Sequence, residues 1–233
     1  MHLICLPYAG AASTIYHSWH FGEGVDISPI AVDYPGRGRR FREPLCSDLP
    51  SLVEILLREL APVFEEPFAI YGHSIGGLVG FEMARQLQAR NIANLKHLFL
   101  AAILPPRACR LDEGPALFQM SDRALIDHLR ALGGMPTMAL ENPEFMALYL
   151  PIIRADCALA DPKAWPSTYR LDTVPITLLC GTRDLTVRSA EMQRWNEVAS
   201  NVRSTRYIDG GHLFLHENQV RLLRVLTDSL AGL

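Results

Sequence analysis

The 233-residue chain contains no uninterrupted apolar run of about 18 residues, the length a membrane-spanning helix needs. No basic stretch followed by a long apolar core opens it, so its N-terminal MHLICLPYAG reads as a strand and not as a secretion leader. A basic excess is missing too: the formal net charge is −3, whereas nucleic-acid-binding domains carry a positive surplus. The five cysteines, Cys5, Cys46, Cys109, Cys157 and Cys180, are odd in number, scattered, and include no CxxC pair. That pattern argues against a disulfide framework or a thiolate metal site. It fits a reducing compartment, so a cytoplasmic location is expected. Internal repeats and low-complexity linkers are also absent. What remains is 49% hydrophobic and 20% charged, the composition of a globular chain long enough to bury a substantial core in one α/β domain.

Short apolar runs alternate with longer segments of helical period. Strands are expected at His2–Leu6, Ile30–Asp33, Phe68–Tyr71, His97–Ala102, Pro175–Cys180 and Ser204–Ile208. Most are apolar on both parities, as in a parallel sheet covered on both faces. Helices are expected at Leu49–Phe64, Gly77–Arg90, Ala190–Ala199 and Glu217–Leu230. This alternation predicts a doubly wound α/β sheet with right-handed crossovers. From about 105 to 165 it breaks: there are helical patterns but no convincing strand, over a stretch too long for one connection. The expectation is a helical lid over the carboxyl ends of the strands, where α/β folds bind ligands. A subdomain that only packs on the sheet is the plainer alternative.

Gly72-His73-Ser74-Ile75-Gly76 supplies the chemistry. A serine hydroxyl is a weak nucleophile near neutral pH unless a base takes its proton as it attacks. Flanking glycines let a strand turn sharply into a helix and present the serine at the apex. GxSxG alone is a weak signal, but here a strand precedes it and a helix follows, so Ser74 is the expected nucleophile.

Eight histidines compete to be the base. His73 adjoins Ser74 but points away on a tight turn. His212 follows the last expected strand in the loop Asp209-Gly210-Gly211-His212 and satisfies the chain order serine, acid, histidine. It is the expected base, with His216 its nearest rival. The base needs a carboxylate to fix its tautomer and stabilise its positive charge. Asp184 stands at the carboxyl end of the strand Pro175–Cys180 and is preferred; Asp156 is the outside candidate. For the developing oxyanion, the backbone N–H of Ile75 and one from the loop after the first strand are expected, Ala9 in preference to Tyr8.

Several longer motifs accompany the elbow: Leu6-Pro7-Tyr8-Ala9-Gly10, the run from Tyr34-Pro35-Gly36-Arg37-Gly38-Arg39 to Pro44, Leu132-Gly133-Gly134-Met135-Pro136, and Leu150-Pro151-Ile152-Ile153-Arg154-Ala155-Asp156. In these the chain resembles, over nearly its whole length, the type II thioesterases that accompany nonribosomal peptide and polyketide synthases. The resemblance implies the α/β-hydrolase fold and hydrolysis of acyl thioesters on the phosphopantetheine arm of acyl and peptidyl carrier proteins. It implies no cofactor or metal of the enzyme's own, and no nucleic-acid or membrane partner. It also places the triad on Ser74, Asp184 and His212; a monomer is expected. The chain departs from the family at Ala11, where a second glycine is frequent, and at Leu185, where proline is.

The arginines 37, 39, 40 and 42 invite a docking role toward acidic carriers, but bracing of their loop or plain solvation is the better expectation. Core packing is likewise the expected role for any one of Phe118, Met120, Met135, Met138 and Phe145, with an acyl channel the alternative. A free-standing esterase for small esters would share the triad, and a noncatalytic binding protein would leave it idle.

Overall fold

The computed structural model describes residues 1–106, 116–133, 135–161, 165 and 169–232; Cys109 and Gly134 lie outside them. Six strands, β1 (His2–Leu6), β2 (Ser28–Ala31), β3 (Phe68–His73), β4 (Leu95–Ala101), β5 (Ile176–Gly181) and β6 (Val202–Ile208), form one sheet in the order β2-β1-β3-β4-β5-β6. Every pairing is parallel. Alternate residues leave opposite faces of each strand. Leu3, Cys5, Tyr71 and Phe99 therefore enter one apolar core, while Ile4, Leu6, Ile70 and Leu98 enter the other. This is why the sequence reads as apolar on both parities.

The chain leaves β1 for the β2 edge, then returns to place β3 on the other side of β1 and continues outward. The loops after β1 and β3 thus diverge, and the crevice between them is the switch point where such sheets receive ligands.

The helices are α1 (Leu49–Glu59), α2 (Ile75–Ala89), α3 (Asp122–Leu132), α4 (Thr137–Leu140), α5 (Pro143–Ala158), α6 (Phe214–Glu217) and α7 (Gln219–Leu230). Four differ from the expectation for physical reasons. The first expected helix ends early, in a 3-10 segment at Ala61–Glu65, because Pro62 has no N–H to give and its ring clashes with the preceding turn. The second starts at Ile75, since the Ser74 turn feeds it directly. Residues Ser189–Glu197 are 3-10 and not α-helical; three residues per turn stack the buried Met192 and Trp195 on one face, and the indole N–H of Trp195 donates to the Ile103 carbonyl at 2.8 Å. The last helix starts two residues late, at Gln219, because Asn218 leaves the helical region at φ −141° and ψ 52°; a single turn that was not expected, α6, precedes it. Strand β2 also lies two residues earlier than expected at both ends; past it Val32 N–H still donates to Cys5 O at 3.1 Å, while the Asp33 carboxylate accepts from Ser13 N–H at 2.7 Å.

Between β4 and β5, the described residues of the expected insertion form α3, α4 and α5 and no strand. Ser121 caps α3 and Asn142 caps α5 with side-chain oxygens. Leu125, Leu140, Met146, Leu150 and Ile153 form a small separate core there.

Candidate active site

Strand β3 delivers the chain to Ser74, whose φ of 52° and ψ of −123° lie where side-chain-bearing residues are rare. The turn is held by Ser74 N–H donating to Ala101 O at 2.8 Å. Its tightness explains the glycines. A Cβ on Gly72 would sit 2.2 Å from Gly76 O, and one on Gly76 would sit 2.3 Å from Leu6 O.

Ser74 Oγ lies 3.0 Å from His212 Nε2, and His212 Nδ1 lies 2.9 Å from Asp184 Oδ2. The other oxygen of Asp184 accepts from the N–H groups of Thr186 at 2.8 Å and Val187 at 3.1 Å. Burial opposes the charge on Asp184, but the His212 contact and these two N–H donors outweigh it and hold its carboxyl below the usual carboxylate range. Asp184 and His212 are buried, whereas Ser74 is half-buried and opens toward a cavity.

The loops carrying Asp184 and His212 are tied to each other. Thr182 N–H donates to Ile208 O and Arg183 N–H to Gly210 O, both at 2.9 Å. Arg183 also pairs with Asp209 and, at 3.1 Å, with Glu217, whose other oxygen accepts from Gly211 N–H. Asp209 thus serves the loop and not the imidazole.

Three other histidines have partners of their own. His73 points away from Ser74 as expected; its Nε2 lies 2.7 Å from the His212 carbonyl and its Nδ1 2.8 Å from Tyr71 Oη. Burial, then the neighbouring His212, push its pKa down to about 3. His216 bonds Tyr8 Oη at 2.9 Å, and His97 bonds Thr177 at 2.9 Å. Asp156, the outside candidate for the acid, is committed elsewhere: both its oxygens meet the Arg37 guanidinium.

Ala9 and Ile75 both line the cavity beside Ser74. Ile75 is the first residue of α2, where N–H groups have no intrahelical partner. The cavity measures 850 Å³, the size of a small-molecule pocket. Phe118, Leu129, Met135, Tyr149 and Ile153 of the insertion form much of its wall, and His128 and Leu185 also line it. Phe118 and Met135 line the cavity, Met120 and Met135 pack on the insertion's own core, Phe145 stacks on Tyr149, and Met138 is exposed, so core packing holds for Met120 and Met135 and not for Met138. Ala11 is buried and is not among the residues that line the cavity. Arg37 and Arg40 brace their loop, the latter through Glu43 and Glu59. Tyr149 is the site residue that sequence reasoning missed; nothing in its neighbours marks it, because its polar partner is the backbone of Gly10.

With this geometry, the chain belongs to the thioesterase domain family, whose profile matches residues 1–230. Among its relatives, the gramicidin S biosynthesis protein GrsT of Aneurinibacillus migulanus is 29% identical over 99% of this chain and 89% of its own. The thioesterase PikA5 of Streptomyces venezuelae is 29% identical over 99% and 81%. Among solved structures, YbtT, a type II thioesterase from the yersiniabactin nonribosomal peptide/polyketide pathway, superposes with a TM-score of 0.83 at 28% identity, over 97% of this chain and 90% of its own. The expected α/β-hydrolase fold and the resemblance to type II thioesterases both hold. No helix among the described residues is long and apolar enough to cross a membrane.

Proposed function

We propose that the protein hydrolyses acyl thioesters held on the phosphopantetheine arm of nonribosomal peptide or polyketide carrier proteins, clearing stalled or misprimed groups from the assembly line. The observation that carries this is the Asp184–His212–Ser74 relay opening into the 850 Å³ cavity, in a chain of the thioesterase family.

His212 Nε2 takes the Ser74 proton as Oγ attacks the thioester carbonyl, and Asp184 stabilises the imidazolium that forms. Ala9 and Ile75 N–H groups receive the negative charge that develops on the carbonyl oxygen. As the tetrahedral intermediate collapses, the C–S bond breaks and His212 returns the proton to the departing thiolate, leaving an acyl ester on Ser74. Water then repeats the sequence: it loses a proton to His212, attacks the ester, and releases the acid as Ser74 regains its proton. The helical insertion acts as the lid whose wall selects the acyl group. The enzyme works as a cytoplasmic monomer, and these steps need no cofactor beyond the carrier's own arm.

Mass spectrometry of a panel of acylated carrier proteins incubated with the enzyme tests this reading. The expected result is recovery of free phosphopantetheine thiol and carboxylic acid, lost in Ser74→Ala. Preferential hydrolysis of matched small oxygen esters, with acyl-carriers untouched, would favour the esterase reading instead.

A further inference from the structure

Gly10 is gripped by α5 through both of its backbone polar groups. Its N–H donates to Asp156 Oδ2 at 2.7 Å, and its carbonyl accepts from the Tyr149 hydroxyl at 2.7 Å. Tyr149 and Asp156 are seven residues apart on α5, two turns along one helix face. The approach leaves no space: a Cβ on Gly10 would lie 2.9 Å from Tyr149 Oη and 3.0 Å from Ile153 Cγ1, and the φ of +82° suits glycine in any case. Asp156 is fully buried, and its countercharge Arg37 is nearly so, with its guanidinium 5.1 Å from the centre of the Tyr34 ring. A buried carboxylate needs such a partner to remain charged. Arg37 therefore supports the acceptor that Gly10 uses.

We infer that α5 positions the oxyanion site: Tyr149 and Asp156 fix the Gly10 peptide groups and, one residue upstream, the Ala9 N–H, so that seating of the insertion and completion of the oxyanion site are one event. This rests on the reading above, in which Ala9 is an oxyanion donor. Tyr149 and Asp156 are positioning residues that act through the backbone. The consequence is specificity by geometry, since an acyl group that lifts α5 also misplaces Ala9.

The test is Tyr149→Phe, which removes one hydroxyl and keeps the ring that stacks on Phe145 at 5.1 Å. Steady-state hydrolysis of an acyl-carrier thioester is measured together with inhibition by an alkyl trifluoromethyl ketone, whose serine adduct carries an oxyanion. The expected result is a roughly 10-fold lower kcat at unchanged KM, matched by an equal loss of inhibitor affinity, because a displaced donor forfeits part of the oxyanion stabilisation. Leu148→Ala, an exposed change on the same helix, is the control and leaves both values unchanged. Asp156→Asn, which keeps an acceptor for Gly10 but loses the charge opposite Arg37, gives a second series. An unaltered kcat and inhibitor affinity in Tyr149→Phe, or an effect confined to KM, overturns the inference. Failure of the underlying reading looks different: wild-type enzyme would leave acyl-carriers intact, or Ser74→Ala would turn over normally.

Discussion

His73 Nε2 donates to the backbone carbonyl of His212 at 2.7 Å, joining the residue before Ser74 to the His212 loop 139 positions later. Tyr71 fixes the tautomer by donating to Nδ1 at 2.8 Å. Ser74 and His212 are thus held in register by a neutral imidazole.

Replacing His73 with Phe leaves the buried His212 carbonyl without this donor, a loss of about 1–3 kcal/mol. Urea unfolding should register it, together with a lower kcat from a displaced base. Acid provides a second signature. The folded state keeps His73 neutral down to about pH 3, whereas an unfolded histidine takes up a proton near pH 6.5. Below about 6.5 the unfolded chain therefore binds more protons, and stability falls with pH until about 3. In His73→Gln the stability curve between these limits should be shallower.

Asp184→Asn keeps the side-chain shape but removes the negative charge that stabilises protonated His212. A fall in kcat on the order of 10⁴ is expected with little change in KM. Stability has the opposite sense to that of a raised group: the depressed carboxyl of Asp184 contributes above its unfolded pKa, and the contribution is lost as pH falls through the folded value. Wild type should therefore lose more stability than Asp184→Asn in acid. Equal acid sensitivity, measured by thermal melts from pH 7 downward, would contradict the assignment.

Arg37→Met strands the buried Asp156 charge and should cost about 3–5 kcal/mol. Adding Asp156→Leu removes the stranded charge and should recover much of that stability. The double variant still lacks the acceptor for Gly10, so its kcat should stay low. Melting temperature and kcat would then part company, which a purely structural role for the pair does not produce.

Much of this was legible in the sequence because it is local. Apolar strands of both parities, the glycines around Ser74 and the acid after β5 are short-range patterns, and they gave the sheet, the elbow and the order of the relay. Element ends were less readable, since Pro62 stops a helix whose apolar period continues past it and the non-helical backbone of Asn218 delays the start of the last one. The clamp on Gly10 was not readable at all. Arg37 and Asp156 lie 119 residues apart, and in the sequence Arg37 reads as a loop brace or solvated charge and Asp156 as an outside candidate for the acid. Only the return of α5 over the β1 loop makes them a buried pair, and only then does Tyr149 meet a backbone carbonyl.

The central claim is that Ser74 is acylated by carrier-bound thioesters. Rapid acid quench of the enzyme with an acyl-carrier protein, followed by intact-mass and peptide analysis, tests it most directly. The account predicts a mass increase equal to the acyl group, located on the peptide containing Ser74 and absent from Ser74→Ala. An adduct on another residue, or undiminished acyl release by Ser74→Ala, would contradict it.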